Sequence, residues 1–380
     1  MHKSVKKLMP LTLSLLAMVL SSCGNTKYSV ADSVTLSYKF ISLFEGETKT
    51  IEARTTPRSK DPAELVYESS DTSVATINDK GELIAKGKGD ATITVKDKTS
   101  GASDILYVSV DKDDLAGSDA KAAAKVITDY QSAQGMKCKK VYERENFSYT
   151  RSKNEALQQS TYYTQDMVIS VDDAYFYIGS DDEQIKVEGG SKEYSSSAWY
   201  IYTNESYDTY LFHIDGITKN YMVCDSTSFI SQGGSRYDAL LEVISNLFTS
   251  GSSIITRTLN DVTGKDNLDS AKSAEKAGSR GDGFLTFEMT QSGSGKADKD
   301  DEDDSAIPYG TPYEINIRVR YAWENYLCVS EDLVQEQSFE IGEDSYLDRY
   351  AINYHFQTEG FELEYPDRDA FTKVDDIFDL

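Results

Sequence analysis

Along most of this chain apolar and polar residues alternate with a period of two, the mark of half-buried strands rather than helices. After the turn Phe44-Glu45-Gly46-Glu47, the stretch Thr48 to Thr55 sets Ile51 and Ala53 on one face. Leu65-Val66-Tyr67-Glu68 forms another strand, stopped by Ser69-Ser70-Asp71. Val74-Ala75-Thr76-Ile77 and Leu83-Ile84-Ala85 flank Asn78-Asp79-Lys80-Gly81, where glycine supplies the positive φ of a tight turn. Ala91 to Val95 and Ile105 to Val110 complete the set. About seven short strands in roughly 80 residues, with a turn every 8 to 12, predict a β-sandwich over residues 33–111.

Past a polar seam at residues 112–119 the texture changes. Ala123, Val126, Ile127 and Tyr130 recur at helical spacing, with Gly135 just beyond them as a stop signal. From Val141 the strands lengthen and most of the chain's 26 tyrosines fall here. Tyr313, Ile315, Ile317, Val319, Tyr321 and Trp323 alternate with Glu314, Asn316, Arg318, Arg320 and Ala322, and Tyr350, Ile352, Tyr354 and Phe356 repeat the pattern. Tyr237, Leu240, Leu241, Ile244, Leu247 and Phe248 make a second amphipathic helix, opened by Ser235-Arg236-Tyr237-Asp238 in capping-box style and closed at Gly251. The expected fold is mainly β: an Ig-like sandwich, then an α+β domain over 120–380 with a curved antiparallel sheet packed on helices. Residues 265–282 read as a mobile excursion, and residues 291–305, with their run Asp298 to Asp304, as a disordered acidic loop.

The first 22 residues are an export address. Lys3, Lys6 and Lys7 precede an apolar run from Leu8 to Leu20 that falls short of the roughly 18 residues of a membrane span. Leu20-Ser21-Ser22-Cys23 resembles the bacterial lipobox, which implies cleavage before Cys23, a diacylglycerol on its sulfur, and a tether over 23–32. The expected partner is therefore a membrane, reached through lipid on Cys23, with the protein facing outside the cytoplasm. The sandwich blocks also carry a resemblance. Glu45-Gly46-Glu47-Thr48, Tyr67 to Ile77, Gly81-Glu82-Leu83-Ile84-Ala85 and Gly87 to Val95 resemble the bacterial Ig-like domain of group 2, with Tyr67 where that family often has Trp. The resemblance implies a stalk or adhesion module, and a spacer is the plainer role. The second domain faintly resembles the half-barrel lipoproteins of the lipoprotein-carrier type, which hold acyl chains in a concave sheet.

Charge narrows the partners. At −25 the chain repels nucleic acid and anionic headgroups, and loss of the leader lysines makes it more negative. With Cys23 lipidated, Cys138, Cys224 and Cys328 are an odd set set among apolar neighbours and read as small hydrophobes rather than disulfides or metal ligands. Catalytic signals are scarce. His213 and His355 stand out of phase with their apolar neighbours and read as surface residues; neither an H-E-x-x-H site nor a G-x-S-x-G elbow occurs, and Gly293-Ser294-Gly295-Lys296 lacks the rest of a phosphate loop. The acidic run offers oxygens for Ca²⁺ without EF-hand spacing. Trp199, Tyr200 and Tyr202 offer rings for stacking on sugars, though alternation splits them between two faces. No cofactor or metal is expected, and a monomer is.

The sequence thus predicts a lipid-anchored, non-enzymatic surface protein. Its distal domain would hold an apolar ligand such as lipid against Tyr313, Ile315, Ile317, Val319, Tyr321, Tyr350, Ile352 and Tyr354, with Leu240, Ile244 and Leu247 facing them from the helix. The alternatives are an adhesin or polysaccharide-binding (glycan) protein, and, third, an exported hydrolase built on a carboxylate pair.

Overall fold

The computed structural model describes residues 33–56, 64–186, 191–225, 233–248, 251–281, 283–297, 307–376 and 380. Cys23, the leader and the whole acidic run Asp298 to Asp304 lie outside the described residues. Nine strands make the first unit: β1 (Ser33–Leu36), β2 (Phe40–Phe44), β3 (Thr48–Thr50), β4 (Ala53–Thr56), β5 (Leu65–Ser69), β6 (Ala75–Ile77), β7 (Glu82–Ala85), β8 (Gly89–Asp97) and β9 (Ser103–Asp111). They form a sheet β2-β9-β8-β5, a facing sheet β3-β7-β6 and the pair β1-β4. Leu36, Ile51, Leu83, Ile93, Val95, Leu106 and Val110 fill the space between the sheets. The β6–β7 turn is held by Asn78, whose side-chain carbonyl accepts from the Lys80 and Glu82 amides. Gly81 there has φ +76°, and a Cβ would stand 2.4 Å from the Ile51 carbonyl oxygen, so only glycine fits.

The second unit opens with α1 (Ser118–Gln134), ended by Gly135 in the left-handed conformation. Two meanders follow. The first runs β10 (Lys140–Lys153), β11 (Ala156–Ser170), β12 (Tyr175–Lys186), β13 (Ser191–Thr203), β14 (Asp208–Asp215), β15 (Thr218–Asp225). After α2 (Arg236–Leu247), α3 (Gly251–Asp261), α4 (Lys265–Leu268) and a 3₁₀ turn come β16 (Lys276–Gly281), β17 (Phe284–Lys296), β18 (Pro312–Glu324), β19 (Leu327–Ile341) and β20 (Asp344–Gln357). Because β20 pairs with β10, the two meanders fuse into one 12-stranded sheet, closed at its far edge by β21 (Thr372–Lys373) parallel to β15.

Both faces of this sheet are loaded. On one, the helices pack over Val141, Met167, Ile169, Phe176, Ile201, Leu211, Phe287, Tyr321 and Trp323 in a continuous core. On the other sit the Ig-like unit, whose Ser42, Glu47, Phe40, Lys49 and Arg54 meet β18, β20, β19 and β11, and the C-terminal segment, which starts at Phe361 over β10 and runs on over β12–β15. The strap is held edge-on by rings: Tyr365 meets Tyr175 and Tyr202, and Phe371 meets Phe212.

Several expectations need correction. Residues 265–281 are ordered, with Leu268, Ala271 and Ala277 in the core, because short small-residue segments gain burial only from partners far along the chain. Residues 291–296 extend β17, and their Gly-Ser composition reflects pairing opposite the bulky Ile315 and Tyr313. Helix α1 buries Ala120, Ala124, Ile127 and Gln131, while Val126 and Tyr130 are exposed: the buried stripe lies one step round from the apolar one. Gly251 does not close the second helix; it opens α3, which sequence reading missed.

Candidate functional site

The register places the predicted β18 and β20 residues on the helix-bearing face, in rows that cross the sheet. One row runs Tyr321, Glu331, Tyr354, Glu145, and the next Val319, Leu333, Ile352, Phe147. Then follow Ile317, Gln335, Tyr350, Tyr149; then Ile315, Gln337, Asp348, Arg151; then Tyr313, Phe339, Tyr346, Lys153. The helix-packed core takes in Tyr321 and, at its margin, Val319 and Tyr354, and ends there. The remaining three rows continue the same face as a half-buried surface of tyrosine, isoleucine and glutamine, in which Phe339 and Asp348 are buried. This is the candidate site.

Its helix partners are not those expected. Leu240 and Ile244 are fully buried and Leu247 partly so, but α2 packs on β13 and β14, several strands away from β18 and β20. The concavity that would take an acyl chain is occupied by the protein's own Phe287, Trp323, Ile255 and Leu285. Sequence spacing along each strand gave the face; strand order, which separates the two groups, has no local signal.

The floor of the open rows is polar. Arg151 grips Asp348 with Nε and Nη2, Nε at 2.7 Å, and Asp348 is 2% exposed. Rings flank this pair: Tyr149 and Tyr350 lie 4.7 Å apart on one side, Phe339 and Tyr346 stack at 5.2 Å on the other, and the Arg151 guanidinium approaches Phe339. Lys153 pairs with Asp344 at 2.7 Å. Tyr149, Phe339, Gln335 and Gln337 were missed because β10 and β19 show mixed alternation, and Tyr346 because the charged Asp348 separates it from the apolar series of β20; only cross-strand pairing brings them together.

Beneath α3 lies a cluster of another kind. Arg257 stands 3.5 Å from Glu143 and 3.6 Å from Asp261, over the Tyr354 ring, with Glu145 and Glu331 in the row below. Burial pushes Glu143 up to about 7 against the pull of Arg257, and burial together with the Asp261 charge pushes Glu331 up to about 7. Raised carboxylates are what acid–base chemistry uses, yet Glu143 is 1% exposed and sealed by α3, so the cluster seats that helix.

The histidines differ from expectation. His355 is buried with its Nδ1 3.0 Å from the Val329 carbonyl and its ring stacked on Phe40 of the first unit. His213 stacks on Trp199 on the helix face. Tyr200 and Tyr202 face the C-terminal strap instead, and with Lys219, Tyr365 and Phe371 Tyr200 lines a shallow cavity of about 260 Å³. Cys138, Cys224 and Cys328 are free thiols, Cys328 fully buried and its thiol pushed up by burial.

The two units meet through an interface that alternation could not reveal. Arg320, 4% exposed, donates to the Ser42 carbonyl at 2.7 Å and to Glu47 and Glu288, with its guanidinium over Phe44. Arg280 reaches Asp90, Asp111 and Glu324, and Lys276 reaches Glu47.

Residues 30–106 match the family model of the bacterial Ig-like domain (group 2). The N-terminal unit is a group 2 bacterial Ig-like domain. Over 89 residues this chain is 42% identical to a kappa-carrageenase of Pseudoalteromonas carrageenovora, a stretch that makes up 23% of this chain and 22% of that enzyme. The chain thus spans about a fifth of the length of that relative. Domains 5–6 of the S-layer protein SbsC align with 50% of this chain and 93% of their own length, at 13% identity and a TM-score of 0.20. Among the described residues no helix is long and apolar enough to cross a membrane, and no group of His, Cys, Asp or Glu has metal-binding geometry. The Ig-like domain is fixed against the sheet by Arg320 and Arg280, so it presents the candidate face at a set orientation.

Proposed function

We propose that this chain is an extracellular surface protein, held to a membrane by lipid on Cys23, that binds polysaccharide on the open rows of its large sheet and does not act as an enzyme. The observation that carries the reading is the half of the sheet face left outside the helix-packed core, where the half-buried Tyr149, Tyr350 and Tyr346 alternate with Gln335 and Gln337, Phe339 lying buried behind Tyr346. Tyrosine rings offer flat apolar faces for the C–H faces of sugars, and glutamine amides both donate and accept toward hydroxyls. Lipid, the first expectation, fits less well: it needs an enclosed apolar cavity, and the enclosed part of this face is already core. The Ig-like domain adds support, since a carrageenan-degrading enzyme carries a similar stretch. That stretch covers only the Ig-like domain, so the enzyme's catalysis does not come with it.

The test is affinity electrophoresis of the intact chain through gels containing polysaccharides, beside solvent extraction of the purified protein. Retardation that weakens in Tyr350→Ala, with Gln335→Ala as a milder second variant, is the expected result. Migration unchanged by every polysaccharide, together with co-purified lipid of defined mass, would overturn the reading in favour of an apolar ligand.

A further inference from the structure

The order of side chains along β20 carries the reading one step further, to the class of glycan; the step rests on the polysaccharide-binding reading above. Tyr346, Asp348 and Tyr350 lie on one face, and across the ladder each meets a partner on β10: Lys153, Arg151 and Tyr149. With Phe339 of β19 behind Tyr346, the face has three levels in sequence along the strands: the Tyr346 ring stacked on Phe339, the Arg151–Asp348 ion pair, and the Tyr149–Tyr350 ring pair. The two ring levels are four residues apart, about 13 Å at the usual strand rise. A ligand that used both would be longer than one sugar ring and would run along β20 and β10, its middle over Arg151 and Asp348.

Charge decides what kind of chain this is. Arg151 is gripped by Asp348, and Lys153 by Asp344, so each cation of the floor is already neutralised by its own carboxylate. A sulfated or uronic acid polymer would have to displace those carboxylates, in the field of a chain that carries −25. An uncharged sugar faces neither cost. It can still accept from Arg151, whose Nη1 has no partner among the described residues, and exchange hydrogen bonds with Gln335 and Gln337.

We infer that the open face binds an uncharged oligosaccharide laid along β20 and β10, stacked at one end on Tyr149 and Tyr350 and at the other on Tyr346, whose ring is backed by the buried Phe339. The kappa-carrageenase likeness covers the Ig-like region only, so it does not bear on which class of glycan this face takes.

Isothermal titration of the intact chain tests the inference, with uncharged polymers (laminarin, xylan, soluble cellulose ethers), polyanions (kappa-carrageenan, alginate), and oligosaccharides of increasing length from whichever uncharged polymer binds. Binding of an uncharged polymer, with affinity rising from one sugar unit to several and then levelling, is the expected result. Tyr149→Ala and Tyr346→Ala should each weaken it roughly tenfold. Tyr149→Phe, which keeps the ring and the packing, should retain it, and so should Tyr107→Ala on the outer face of the Ig-like domain. Preference for polyanions would overturn this inference while leaving polysaccharide binding in place, as would a single sugar binding as tightly as a long chain. Absence of binding to any carbohydrate would overturn both.

Discussion

Glu143 and Glu331 show how much one arginine can be asked to balance. Four carboxylates, from Glu143, Glu145, Glu331 and Asp261, surround Arg257 in a region largely closed to water, and burial pushes all four up. They cannot all ionise at neutral pH at low cost. In an unfolded chain a glutamate titrates near 4.5, whereas Glu143 and Glu331 hold their protons up to about 7 here. The folded state therefore binds more protons than the unfolded one from about pH 4.5 to 7, and stability is lost as pH rises through that window. His355 works in the opposite sense. Burial depresses it to about 4, so acidification below its ordinary 6.5 favours the unfolded, protonated form. Above pH 6.5 the carboxylates act alone. We expect unfolding free energy to fall by on the order of 1–3 kcal/mol between pH 6 and 8, and the fall to flatten in Glu143→Gln/Glu331→Gln; thermal melts across that range are the check. A pH-independent melting temperature in the unmodified protein would contradict the assignment.

At the scale of elements, local signals and long-range packing divided the work. The start of α2 was legible in Ser235 and Asp238, and the structure has both halves of the capping box: the Ser235 hydroxyl accepts from the Asp238 amide, and Asp238 accepts from the Ser235 amide. Ser235→Ala should cost about 1 kcal/mol, measured by chemical denaturation. The end of that helix was misplaced because Gly251 signals a stop, while its actual duty is steric. A Cβ there would stand 2.5 Å from Ile244, so glycine lets α3 begin tight against α2. Gly251→Ala should destabilise by roughly 1–3 kcal/mol through overpacking, although alanine is the better helix former. Melting at or above the unmodified temperature would show that helix propensity outweighs the close approach.

For the molecule as a whole, the interface between the Ig-like domain and the sheet turns two units into one. Arg320 is almost wholly buried between Ser42, Glu47 and Glu288, and removing one member of such a group leaves the others desolvated and unpaired. Arg320→Ala is expected to cost about 3–5 kcal/mol in the docked state and to split a single calorimetric transition into two. Limited proteolysis should then cut near residues 112–119, which are held in the docked form by the Leu115 pairing with Ala277 and by Gly278 lying close under the Lys112 carbonyl. One unaltered transition in Arg320→Ala would mean the two units are joined only by the chain. A module whose role was spacing alone would have little use for this contact, which holds the Ig-like domain at one angle to the sheet.

Taken alone, the sequence determined the Ig-like sandwich, the α+β character of the second domain, the capping of α2, and which residues of β18 and β20 share a face. Each follows from the period of side chains along one strand or helix, or from turn residues a few positions apart. Tertiary structure decided the rest. The pairing of β20 with β10 joins residues about 200 apart in the chain into one aromatic face, the helices close one half of that face and leave the other, and docking of the Ig-like domain buries His355 and Arg320 that alternation places at the surface. Strand order and docking are set by the sum of many weak contacts between distant segments, and no single stretch of sequence carries that sum.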